Sequence, residues 1–178
     1  MPSARLPSWL AVGVTILIFV GPALVGHQLD VIAALVLGIG VAAVVALYLR
    51  GRTLLAVRAN VRLRHFTWTP SLVVAAVFGS IGAAWAPVPA SADRPAVRRL
   101  HSLGPFALGL AALCFLLLAR LTGTPVTRAL GVSALTMMQT VMLPVRPYDG
   151  AFLTREPRAV LLAAWLIAMS ALVLVGIL

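Results

Sequence analysis

Long apolar runs recur through this chain, and they leave few folds open to it. They cover residues 9–25, 31–49, 104–121, 126–143 and 159–178, with a shorter one over 72–85. A spanning helix needs about 20 mostly apolar residues, and five of the runs come near that length. A soluble domain draws roughly a quarter of its residues from Asp, Glu, Lys and Arg. Here the share is 10% and the mean hydropathy is +1.07. The chain therefore reads as an integral membrane protein, a single domain over 1–178. The expected fold is all-α and polytopic, with about five transmembrane helices and a re-entrant segment. Its surroundings would be the lipid bilayer and, within it, other transmembrane proteins.

Charge refines the topology. The 14 basic residues are all arginine and the net charge is +10. Such a charge suits nucleic acid, but arginines scattered between apolar runs more often set membrane orientation, so no nucleic-acid partner is expected. The run over 72–85 is short for a span and is framed by Pro70, Pro87 and Pro89. If it crossed the bilayer, Arg94, Arg98, Arg99, Arg146, Arg155 and Arg158 would face the rest, almost without bias. If it dips in and returns, only Arg120 and Arg128 stand opposite all the others. The positive-inside rule favours the second arrangement, with a cytoplasmic N-terminus and the inner (plasma) membrane as location. The first run lacks a clear cleavage site and is expected to remain in the protein. Cys114, the single cysteine, excludes an intramolecular disulfide and reads as a small packing residue.

One stretch stands out chemically. Met142-Leu143-Pro144-Val145-Arg146-Pro147-Tyr148-Asp149-Gly150 closes an apolar run with two prolines, an acid and a glycine. Each proline removes a backbone donor and drives its predecessor out of helical geometry. The expected result is an unwound helix end presenting Asp149 inward, and an ionisable residue there is a functional-site candidate. On the favoured topology the end of the 31–49 run, the re-entrant segment and Asp149 share the cytoplasmic side.

The same residues resemble the site-2 protease group of intramembrane zinc metalloproteases (peptidase family M50), especially its compact prokaryotic members. Leu143 to Gly150, with Pro144, Pro147, Asp149 and Gly150, is similar to that group's Asn-x-x-Pro-x-x-x-Leu-Asp-Gly motif, whose Asp binds zinc. Ser102-Leu103-Gly104-Pro105-Phe106-Ala107-Leu108-Gly109 resembles its Ala-Gly-Pro-x-x-Asn helix start through Gly104 and Pro105. The resemblance covers about residues 31–152 and implies a site-2 protease-like core.

It breaks at the group's first motif, His-Glu-x-x-His. That motif supplies two zinc ligands one helical turn apart and a general base for the metal-bound water. The corresponding window is placed here at Leu49-Arg50-Gly51-Arg52-Thr53, without histidine, glutamate or cysteine. The motif asparagines are replaced by Val141 and Leu108. No catalytic residue and no metal cofactor is therefore expected. Instead Arg50 or Arg52 should occupy the metal position and pair with Asp149, since either charge left alone in lipid would be costly. The leading reading is a catalytically inactive site-2 protease-like protein, a pseudoprotease serving as a binding, regulatory or scaffold subunit. The alternatives are a metalloprotease whose zinc site is rebuilt from Asp149, His65 and His101, and an accessory subunit of a transport or respiratory complex.

Overall fold

The computed structural model describes residues 13, 17, 30–58, 60–61, 63–65, 70, 73–74, 76–77, 90–92, 98–144, 148–153 and 157–177. Most of the 9–25 span and of the 72–85 segment lies outside them. The described architecture is helical apart from one short two-stranded ladder: α1 (Val31–Arg58), β1 (Leu63–His65), β2 (Ala90–Ala92), α2 (Arg98–Thr122), α3 (Pro125–Val141), the single turn α4 (Gly150–Leu153) and α5 (Pro157–Leu174).

Three described helices are long and apolar enough to cross a membrane: α1, α2 and α5. Of the other expected spans, 9–25 lies mostly outside the described residues, and α3, with 17 residues, forms the packed centre of the bundle. Leu130, Ala134, Leu135, Met137, Met138 and Val141 are buried against α1 and α2. Close approach depends on glycine here. A Cβ on Gly131 would lie 2.7 Å from Leu116 Cγ, and one on Gly40 would lie 2.6 Å from Leu130 Cδ2. Small residues at crossings are how helices associate in lipid, where no hydrophobic driving force separates them from their surroundings. By contrast α5 buries only 11% of its apolar window and exposes Val160, Leu161 and Ile167, so most of it faces outward.

Two helix boundaries differ from those read in the sequence. α1 starts where expected, with the Ala33 N–H donating to Asp30 Oδ1 at 2.6 Å. It does not stop at Leu49, however, but continues through Gly51 to Arg58. The stop signal is Asn60, at φ 53°, beside a bond from the Val61 N–H to the Ala56 carbonyl. That is the left-handed, Schellman-type ending in which Asn can replace Gly. α2 begins not at Gly104 but at Arg98. Pro105 thus sits inside the helix and cannot donate the helical bond to the His101 carbonyl. Beyond α1, Leu63, Arg64 and His65 form a strand paired antiparallel to Ala92, Ser91 and Ala90.

A buried four-residue network at one end of the bundle

Each element delivers one part of the site. From α1 come Tyr48 and Arg52, one helical turn apart and therefore on one face. Their neighbour Gly104 on α2 lets the helices close: a Cβ there would lie 2.7 Å from Tyr48 Cε2. The early start of α2 carries His101 onto the same side. After α3 the chain bends at Pro144, and the turn at Tyr148–Asp149 leads back into α4. Gly150 is packed onto the end of α3 so closely that a Cβ would collide with the Met142 and Leu143 carbonyl oxygens. This reversal turns Asp149 into the bundle, where it is 3% exposed.

The four side chains meet on that carboxylate. Arg52 Nη2 donates to Asp149 Oδ1 at 2.7 Å, and His101 Nδ1 lies 2.6 Å from the same oxygen. Tyr48 Oη donates to Oδ2 at 2.9 Å while accepting from Arg52 Nη1 at 2.9 Å. Arg52, Tyr48 and Asp149 therefore form a closed ring, because the guanidinium reaches the carboxylate both directly and through the phenol. The hydrogen positions follow from chemistry. A guanidinium only donates and a carboxylate only accepts, so Nδ1 of His101 carries its proton and the Tyr48 hydroxyl points at Oδ2. Arg52 itself is 3% exposed, and its Nε has no partner among the described residues.

Arg52, rather than Arg50, is the arginine that meets Asp149; Arg50 is exposed. The pair on α1 that bonds Asp149 is Tyr48 and Arg52, of which Tyr48 lies outside the 49–53 window. Of the other sequence candidates, Pro105 is fully buried beside the site, Pro144 marks the bend and is exposed, and Pro147 lies outside the described residues. His65 is on β1, paired with Ala90. Tyr48 was missed by sequence reasoning altogether. The available signal was its spacing from Arg52 on a helix, hidden once the helix was ended at Leu49.

The donor set does not suit a divalent cation. Zinc needs three or more nitrogen, sulfur or carboxylate ligands, and no group of three or more His, Cys, Asp or Glu is gathered among the described residues. Both Asp149 oxygens already accept bonds, and a guanidinium lies where the metal's positive charge would have to be. What the arrangement can do is hold α1, α2 and the 148–150 turn together. Comparisons of the chain with protein-family models, curated proteins and solved structures find no match.

Proposed function

We propose that this chain is a catalytically inactive membrane protein with a site-2 protease-like core, acting as a binding or scaffold subunit for other membrane proteins. One observation carries the reading: Tyr48 and Arg52, four residues apart on one helix, both bond the carboxylate of Asp149. In the site-2 protease pattern, one helix offers two histidines at that spacing and a later Asp-Gly turn offers the third ligand. Tyr48-Leu49-Arg50-Gly51-Arg52 fills the place of His-Glu-x-x-His on that pattern. The guanidinium then supplies the positive charge that zinc would bring. Leu49, buried and apolar, stands at the position of the general base, so no group is left to activate water.

Retaining a buried ion pair is weak evidence for stability and better evidence for a fixed arrangement of helices. The outward apolar faces of α1 and α5, including Leu47, Leu54, Leu161 and Ile167, supply surface for transmembrane partners. Arg58, Arg98, Arg99 and Arg158 lie on helix ends at the Asp149 end of the bundle, with Arg50 two turns inside α1, and Arg120 and Arg128 lie at the other end. This distribution supports a cytoplasmic position for the network in a plasma membrane.

Metal analysis of the detergent-purified protein tests the reading. Neither the wild type nor Asp149→Ala is expected to hold stoichiometric zinc. Zinc present in the wild type and lost in the variant would instead favour a working metal site built on Asp149 and His101.

A further inference from the structure

The centre of α3 is enclosed almost throughout, and one side chain breaks the pattern. From Ala129 to Leu143 every residue is buried or half-buried except Gln139, which is exposed and is the most polar of the stretch. Its depth follows from its neighbour Met138, whose sulfur would lie 3.0 Å from a Cβ on Gly109. Along the apolar part of α2, Gly109 stands about 12 Å from His101 and about 20 Å from Thr122. Gln139 therefore lies well inside a hydrocarbon core about 30 Å thick.

A primary amide carries two N–H donors and an acceptor oxygen. Among the described residues Gln139 makes one hydrogen bond, from Nε2 to Ser170 Oγ on α5 at 3.3 Å. Whichever way the amide is turned, that hydroxyl engages one of its two polar atoms and leaves the other open. Lipid tails offer neither donor nor acceptor, and the core holds no water to replace them. On α5, Ile167 and Leu174 lie one turn to either side of Ser170 and are 70% and 87% exposed. The open amide thus looks out from an apolar surface shared by α3 and α5.

Whatever covers this surface must be polar at one point and apolar around it. Helices in lipid associate through such polar points set among close-packed side chains. A second copy of the chain meets both demands. Across a two-fold axis a surface faces itself, and an amide is complementary to itself, since each N–H can donate to the oxygen of the other. Two bonds then close without any other residue type. Charge does not oppose the approach: the nearest arginines on these two helices, Arg128 and Arg158, stand about 16 Å and 18 Å along the axes from Gln139 and Ser170.

We propose that this chain forms a two-fold dimer through the α3–α5 face, with the two Gln139 amides hydrogen-bonded to each other at its centre. The dimer is independent of whether the core is protease-like, since it rests on Gln139, its depth and the face around it.

The experiment uses the full chain in phosphatidylcholine vesicles, with Cys114→Ala and Thr124→Cys to carry a donor or an acceptor dye. Energy transfer between copies is followed as lipid dilutes the protein and is expected to trace a monomer–dimer equilibrium. Gln139→Leu removes both bonds from an exposed position. It should weaken the dimer about tenfold while keeping the wild-type melting temperature. A second measurement keeps Gln139 in place. With Cys114→Ala alone as background, Thr136→Cys, one turn from Gln139, should be cross-linked between copies by a phenylenedimaleimide. Leu117→Cys, exposed on α2, should not. A dimer as tight in Gln139→Leu as in the wild type, or cross-linking through Leu117→Cys instead of Thr136→Cys, overturns the proposal. A chain that stays monomeric in pure lipid overturns it as well, because a different protein or another part of the chain would then meet the amide.

Discussion

At Asp149, burial and charge set the energetics together. A carboxylate 3% exposed and a guanidinium 3% exposed would each be strongly penalised alone. Arg52→Leu should therefore cost about 3–5 kcal/mol, the usual result of orphaning one member of a buried pair. The double change Arg52→Leu with Asp149→Leu removes both charges and should recover most of that loss. Chemical unfolding in detergent, followed by tryptophan fluorescence, separates the two outcomes; a double variant as unstable as the single one would contradict the pairing. Tyr48→Phe takes one donor from Oδ2 and one acceptor from Arg52 Nη1, and should cost about 1–3 kcal/mol in the same assay. Asp149 was legible in the sequence because Pro144, Pro147 and Gly150 surround it. Tyr48 was not, since its spacing from Arg52 carries a signal only if the helix runs past Leu49.

Among the elements, glycines at crossings decide which helices can touch. Gly131→Ala would push a methyl group onto Leu116 and should destabilise the α2–α3 contact by about 1–3 kcal/mol. Gly150→Ala is more severe, because its Cβ meets backbone carbonyls that cannot rotate away. Its expected outcome is loss of monodisperse protein on size exclusion. The helices were legible as apolar runs, but their ends were not. α1 continues beyond Leu49 because Arg52 is neutralised inside the bundle, a tertiary fact that hydropathy cannot register. Its actual stop, Asn60, is a conformational signal rather than a polar one. α2 begins early because Arg98 and Arg99 precede His101 on the same helix, where a run of charge reads as a loop.

For the whole molecule, the arginine-bearing helix ends gather at the Asp149 end, and the turn between α2 and α3 lies at the other. With Cys114→Ala as background, a cysteine at exposed Thr124 should react with an impermeant maleimide added to intact cells. One at exposed Asn60 should react only after permeabilisation. The reverse pattern would invert the orientation. The proposal that Tyr48 and Arg52 stand at a metalloprotease's ligand positions has a sharper test: zinc stoichiometry of the Tyr48→His/Arg52→His variant beside the wild type. About one zinc per chain is expected in the variant, bound by the new histidines and Asp149, and none in the wild type. A folded variant that binds no zinc, or a wild type that already holds it, would contradict the proposal.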